Sequence, residues 1–359
     1  MTERRTIKGR GTATDMPGRF ESTVRVAEDD GWFPEDADVR APQTLITEER
    51  ARSILSRNTS PDVPFSVSLN PYRGCEHGCS YCFARPTHSY LNLSPGLDFE
   101  TKLFAKTNAA DVLRSELAKP GYRCAAVTIG TNTDPYQPIE RRYRITRQVL
   151  EVFAETRHPV AIITKNALVE RDVDLLAKLA ADNLVRVYLS ITTLDNRLSS
   201  RLEPRATAPH RRVAAVRRLS EAGIPVGVLV APLIPSVTDQ FLEQILEQAR
   251  AAGAVAAGYV MLRLPHEVKE IFRDWLAAHL PERAGHVMSL VRQMRGGRDY
   301  DASFGTRMRG EGVFADLIKQ RFELTTRRLG FPERRHVELN TTLFRPPRPP
   351  SPQSDFGFG

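Results

Sequence analysis

No run of eighteen consecutive apolar residues occurs in this chain, which excludes a transmembrane helix of ordinary length. The opening MTERRTIKGRGTATD has no apolar core of the kind a secretory signal needs, so the expected compartment is the cytoplasm. Cysteine is scarce. Four residues in 359 are too few for a disulfide scaffold, and in a reducing compartment grouped cysteines bind metal or do chemistry. No G-x-G-x-x-G follows the first predicted strand, which disfavours a dinucleotide-binding fold. Lysine is scarce as well, at eight residues against 43 arginines, a bias that genome composition alone can produce.

What is present is globular. Hydrophobic residues make up 41% and charged residues 26%, and the length suits two ordinary domains or one large α/β barrel with an ample core. The net charge of +8 is uneven. Residues 291–350 carry 13 Lys+Arg against 7 Asp+Glu, and across 201–220 six arginines face a single acid, Glu203. Basic stripes of this kind bind phosphate backbones, so nucleic acid is a candidate partner.

The middle of the chain has a rhythm. Short β-branched runs at Phe65–Leu69, Ala125–Ile129, Val160–Thr164, Val185–Ile191, Val226–Val230 and Ala257–Leu262 have the pattern of buried parallel strands. Helical periodicity fills the gaps at Arg144–Arg157, Asp172–Ala181, Pro209–Ala222 and Asp239–Ala252. Six strands, each followed by helical sequence, predict an α/β fold: a partial (β/α)6 barrel of the TIM type with an N-terminal extension and a helical C-terminal region. The expected divisions are 1–62 (extension, with a short helix near Glu48–Ser56), 63–280 (barrel), 281–343 (basic helical region) and 344–359 (flexible Pro-rich tail). In such barrels chemistry sits at the C-terminal strand ends. The loops of interest are then Asn70–Thr87, Gly130–Pro138, Lys165–Ala167, Thr192–Asp195, Ala231–Thr238 and Arg263–His266.

The first of these loops holds three of the four cysteines, Cys75, Cys79 and Cys82, spaced C-x3-C-x2-C. That spacing lets one loop wrap three thiolates around one small object, and soft thiolates select zinc, copper(I) or iron–sulfur clusters. A structural zinc site needs a fourth ligand; His77 lies inside the loop, and no second cysteine pair exists. A disulfide leaves one thiol over. A fully ligated 4Fe–4S cluster takes four cysteines, but Cys124 precedes the second strand, at the opposite end of the barrel, and is expected to be a buried hydrophobe. Three thiols without a fourth leave an open coordination position, which a reactive centre needs.

A C-x3-C-x2-C loop after the first strand of a βα barrel, with Tyr81 before the third cysteine, resembles the radical S-adenosylmethionine superfamily over about residues 65–265. The segments Thr131–Glu140 (TNTDPYQPIE), Thr164-Lys165-Asn166, Leu202-Glu203-Pro204-Arg205, and Ala231–Pro235 with Thr238-Asp239 are similar to its spore photoproduct lyase-related branch. Lys8–Gly11 and Arg19-Phe20-Glu21 resemble one bacterial group within it. The resemblance implies a 4Fe–4S cluster on Cys75, Cys79 and Cys82. It also implies S-adenosylmethionine (SAM) on the fourth iron, cleavage to a 5′-deoxyadenosyl radical, and a flavodoxin- or ferredoxin-type electron donor. By the same resemblance Lys165 and Ser190 hold the SAM carboxylate, and Asn132 and Asp134 belong to the loop near its amino group, with Asp134 the best acceptor for it. Asp134 also suits an Asx turn before Pro135.

One departure stands out. The lyase uses a cysteine as hydrogen donor near its substrate, and the loop GTNTDPYQP contains none. Tyr136 or Tyr143 is then the candidate donor, with Gln137 and Glu140 as further substrate-side groups, while Glu203 suits a cap or a salt bridge. The competing functions are a zinc- or cluster-stabilised nucleic-acid-binding protein without enzymatic activity, and an activase of a protein partner.

Overall fold

The computed structural model describes residues 6–12, 14–21, 42–332 and 338–347. The described residues form ten strands and eleven α-helices. The strands are β1 (Leu45–Glu49), β2 (Leu55–Arg57), β3 (Val67–Leu69), β4 (Tyr72–Arg73), β5 (Lys102–Lys106), β6 (Val127–Ile129), β7 (Val160–Thr164), β8 (Val185–Ser190), β9 (Val226–Leu233) and β10 (Ala256–Met261). The helices are α1 (Asp98–Thr101), α2 (Ala109–Leu117), α3 (Glu140–Tyr143), α4 (Ile145–Thr156), α5 (Val173–Ala181), α6 (Asn196–Leu202), α7 (Pro209–Glu221), α8 (Leu242–Ala251), α9 (Val268–His279), α10 (Pro281–Gln293) and α11 (Val313–Arg328).

The main sheet runs β10-β9-β8-β7-β6-β3-β2. Six of its strands are parallel and lie in sequence order, each joined to the next through helices, and β2 adds an antiparallel edge to β3. This is the partial barrel that the six β-branched runs predict. Strand composition explains it: Val127, Ile129, Val160, Ile162, Val185, Val187, Val226 and Val228 are fully buried. Each such side chain contributes about 1.5–3 kcal/mol on leaving water. The amphipathic faces of α4, α5, α7 and α8 close over the sheet through Val149, Leu150, Phe153, Leu176, Val216, Leu219, Ile245 and Leu246.

The short helix expected at Glu48–Ser56 does not form. Leu45–Glu49 is a strand that pairs in parallel with β5, and Leu55–Arg57 pairs with β3. The turn between them is held from α2, where Glu116 accepts the Ser53 hydroxyl at 2.6 Å and the Leu55 N–H at 3.0 Å. Long-range pairing partners outweigh weak local helical tendency here. At the other end, the start of the predicted flexible tail is docked. The Arg345 N–H donates to the Thr156 carbonyl at 2.8 Å, and the Phe344 ring packs on Tyr122 and His158. Residues 348–359 lie outside the described residues.

β2 and β10 are the two edges of the sheet, so the barrel is open on one side. Residues 299–310 lace that side. The Met261 N–H donates to the Met308 carbonyl at 2.9 Å beside β10. Across the gap, Asp62 accepts the Gly305 N–H at 2.6 Å and pairs with Arg307.

Candidate functional site

A cavity of about 280 Å³ opens where the parallel strands end. Each strand end contributes to its wall: Thr131–Asp134 after β6, Thr164 and Lys165 at β7, Ser190 on β8, Ala231 on β9, and Met261 and Arg263 at β10. Cys75, Cys79 and Cys82 line the same cavity together with His77 and Tyr81. Gly130 starts the β6 loop at φ +90°, and a Cβ there would stand 2.1 Å from the Ile163 carbonyl oxygen, so only glycine lets the loop lie against β7.

The cysteine loop is held from every side. Its Cys75 N–H donates to the Phe99 carbonyl at 2.9 Å and its Ser80 N–H to the Leu202 carbonyl at 3.0 Å. The N-terminal segment braces its back: Gly11 donates to Glu100 at 2.9 Å, and a Cβ on Gly11 would fall 1.6 Å from the Gly78 carbonyl oxygen. Glu100 itself forms a fully buried pair with Arg85 at 2.5 Å. Gly9-Arg10-Gly11 is therefore part of the loop's support. Burial pushes the thiols of Cys75, Cys79 and Cys82 up, and for Cys75 and Cys79 nearby negative groups add to it. Among the described residues no three His, Cys, Asp or Glu side chains are grouped to hold one metal ion. Cys124 stays outside the cavity, before β6; it is half-buried, not fully buried as its reading as a core hydrophobe requires, and burial raises its thiol to about 11.

Asp134 is committed to the protein. Oδ1 accepts the Tyr136 N–H at 2.9 Å, which is the Asx turn, and the Thr164 hydroxyl at 2.7 Å. Oδ2 accepts the Lys165 N–H at 2.7 Å and faces His77 Nδ1 at 3.4 Å. Burial opposes its charge, but His77 and these hydrogen bonds hold the carboxyl below its usual range. The Asn132 N–H donates to Asn70 Oδ1 at 3.0 Å and Asn132 lines the cavity. Lys165 Nζ reaches the Ala231 carbonyl at 3.3 Å and lies 5.9 Å from the Tyr81 ring centroid. Ser190 is buried on the wall, with its carbonyl accepting from Arg212 at 3.0 Å.

Behind Tyr81 stands a buried ion pair. Glu203 accepts the Tyr81 hydroxyl, the Thr192 hydroxyl at 2.7 Å and the Arg212 guanidinium. Burial works against the Glu203 charge, yet Arg212, Lys165 and the two hydroxyls bring its carboxyl down to about 2. The salt-bridge role expected for Glu203 holds. Its partners Tyr81 and Arg212 lie 122 and 9 residues away, and no local spacing in the sequence marks the Tyr81 contact.

The tyrosines expected as hydrogen donors sit elsewhere. Tyr136 is fully buried and donates to Asp172 Oδ2 at 3.1 Å, while Tyr143 is half-buried against the main core; neither lines the cavity. The Asx turn aims Asp134 at β7 and sends Tyr136 into the helix layer. Gln137 supports the cysteine loop, accepting the Glu76 N–H at 2.9 Å and donating to the Gly74 carbonyl at 3.1 Å. Glu140 is enclosed by Tyr72, Thr146 and Arg171. Tyr81 is the tyrosine that faces the cavity.

Part of each arginine-rich stretch is matched by acids of the fold. Arg205 pairs with Glu76 at 3.2 Å, Arg212 with Glu203 and Arg218 with Glu170 at 2.7 Å. In the C-terminal region Arg292 meets Asp299, Arg307 meets Asp62, Arg321 meets Glu243 and Arg328 meets Glu247. Counting charge in a sequence window misses these partners because most lie far along the chain.

The Radical SAM superfamily model matches residues 69–249, which include the three cysteines, Lys165 and Ser190, and the chain belongs to that superfamily. An uncharacterized protein of Mycobacterium bovis is 39% identical over 261 residues, covering 71% of this chain and 77% of its own. A Pseudomonas phage protein called Radical SAM Nalpha-GlyT isomerase is 25% identical over 190 residues, covering 52% of this chain and 38% of its own. Among solved structures, a spore photoproduct lyase mutant with bound AdoMet and a dinucleoside spore photoproduct shares the fold. Its TM-score is 0.57 at 13% identity, over 79% of each chain. The protein is thus an enzyme of the radical SAM type built on an open parallel barrel. No helix among the described residues is long and apolar enough to cross a membrane.

Proposed function

We propose that Cys75, Cys79 and Cys82 hold a 4Fe–4S cluster at the cavity floor, with SAM bound beside it along the ends of β6 to β9. The supporting observation is that three thiols of one loop line the same cavity as Lys165 and Ser190, with no fourth thiol nearby. The donor set fits the group: thiolates are the usual cluster ligands, and three of them leave one iron open. When bound, cluster and cofactor would supply a 5′-deoxyadenosyl radical after one electron arrives from a flavodoxin- or ferredoxin-type donor.

The chain's own residues then position and shield. Lys165 Nζ and the Ser190 hydroxyl bind the SAM carboxylate, since a carboxylate takes charge-assisted hydrogen bonds from both. Asp134 acts indirectly: it fixes the Lys165 backbone and orients His77. Asn132 presents its side chain to the amino end. Tyr81, pinned by Glu203, walls the centre off from α9 and α10. Anaerobic reconstitution with iron and sulfide analysis, followed by assay for 5′-deoxyadenosine after reduction, tests this reading.

A nucleic-acid substrate for repair or modification is the second reading. One observation favours it: a dinucleoside occupies the similarly folded spore photoproduct lyase. Binding that weakens steeply with salt supports it, and salt-independent binding turns attention to a small molecule or a protein partner.

A further inference from the structure

The outer half of the cavity, beyond the cysteine loop, draws its wall from both edges of the open barrel: Phe65 ahead of β3, Phe83 after Cys82, Arg263 after β10, and Met308 from the lacing segment. These are apolar except for Arg263. Its guanidinium lies 5.1 Å from the centroid of the Phe83 ring, which is 46% exposed. Among the described residues Nη1 reaches only the Met308 sulfur, at 3.6 Å, and Nη2 only the Tyr300 hydroxyl, at 3.4 Å. Nε is buried with no acceptor. A guanidinium has five N–H donors, and a thioether with one long phenol contact serves it poorly.

Behind it stands a second cation. Arg295 is buried, donates to the Leu262 carbonyl at 2.9 Å and the Thr306 carbonyl at 2.8 Å, and has its own Nε unpartnered. Burial and the neighbouring Arg263 charge both lower its pKa. Among the described residues neither arginine makes an ion pair, and Asp301, the carboxylate close enough to act on Arg295, spends its oxygens on Ser303 and Thr306. Two neighbouring guanidiniums with no carboxylate between them are costly in a low-dielectric wall. Asp301 offsets part of that cost through space, and an incoming anion lowers it further.

We propose that Arg263, backed by Arg295 and set over Phe83, is a specificity-determining residue that takes the carboxylate or phosphate of a substrate whose planar or apolar body lies against Phe83 and Met308. The planar fork of arginine matches two oxygens of such a group at once. This rests on the reading that the inner half, with the cysteines and Lys165, is the cofactor's.

The test is calorimetric titration of the anaerobically reconstituted protein, with SAM present, using phenyl phosphate, benzoate and phenol as probes. Wild type, Arg263→Gln and Arg263→Lys are compared. At least one of the two oxoanion probes binds wild type. Arg263→Gln weakens that binding by about tenfold or more, the loss of a charge-assisted contact, and Arg263→Lys falls between. Phenol does not distinguish wild type from Arg263→Gln, and SAM affinity changes by less than about twofold. Whichever oxoanion binds more tightly is the preferred one. No binding of either to wild type, or equal binding to Arg263→Gln, overturns the proposal. So does a loss of SAM affinity in Arg263→Gln, which would give the residue to the cofactor. Arg263-dependent anion binding by wild type that binds no SAM would instead overturn the cofactor reading and leave this one standing.

Discussion

Asp134 Oδ2 accepts the backbone N–H of Lys165 at 2.7 Å, so the loop after β6 fixes the loop after β7. The same carboxylate holds the Thr164 hydroxyl and faces His77 inside the cysteine loop. One buried side chain thus joins three of the loops that form the cavity. Asp134→Ala strips these partners together and leaves polar groups unsatisfied, at about 1–3 kcal/mol each. Its SAM affinity, read by equilibrium dialysis, should fall by roughly tenfold or more. Unchanged affinity would show that the loops hold their positions without it.

Glu203 offers a pH signature. Its folded-state carboxyl lies at about 2, below its ordinary 4.5, so its contribution to stability is fully present above pH 4.5 and is lost as pH falls from 4.5 toward 2. Glu203→Gln leaves Arg212 buried without a counter-charge and should cost about 3–5 kcal/mol at pH 7. Chemical denaturation of wild type and variant across pH should show the gap narrowing through that window. A gap that persists unchanged to pH 2 would show that the ionised carboxylate is not what matters.

Tyrosines 81 and 136 should separate cleanly. Tyr136→Phe removes a hydrogen bond to Asp172 in the helix layer and should cost about 2 kcal/mol of stability while leaving SAM cleavage intact. Tyr81→Phe frees the ring from Glu203 at the cavity wall and should change the KM for SAM. Melting curves and steady-state kinetics of both variants decide the matter; a cleavage defect in Tyr136→Phe would restore it as a catalytic group.

Gly11→Ala places a methyl group against the Gly78 carbonyl oxygen. Overpacking there costs about 1–3 kcal/mol, enough to loosen the N-terminal brace. Limited proteolysis should then cut residues 6–21 faster than in wild type, with iron lost more readily from the reconstituted protein. Identical cleavage rates would mean that the brace does not depend on this contact.

The strand pattern carries the fold because buried parallel strands are continuous apolar runs, and all six runs became strands. The cysteine loop was legible for a similar reason: its chemistry is local in sequence. What stayed hidden is what depends on contacts between distant residues. Leu45–Glu49 became a strand only because β5 lies beside it. Tyr136 sits in a loop that the barrel rule marks, yet the Asx turn of Asp134 sends it into the buried helix layer, away from the cavity. The basic character of the arginine stretches is legible in the sequence, but the partners Glu76, Glu170, Glu243 and Glu247, which offset part of it, lie in other segments of the chain. Arg263 falls in a loop the barrel rule marks, but that no carboxylate among the described residues pairs with it emerges only from the packed structure.

The most direct test of the central claim is the yield of 5′-deoxyadenosine from SAM by reduced, anaerobically reconstituted protein, with wild type measured beside Cys79→Ala. The account predicts iron and sulfide bound to wild type with 5′-deoxyadenosine formed, and no product from Cys79→Ala although its barrel still unfolds cooperatively. Tightly bound zinc, no cleavage of SAM by wild type, and an unfolded Cys79→Ala domain would contradict it.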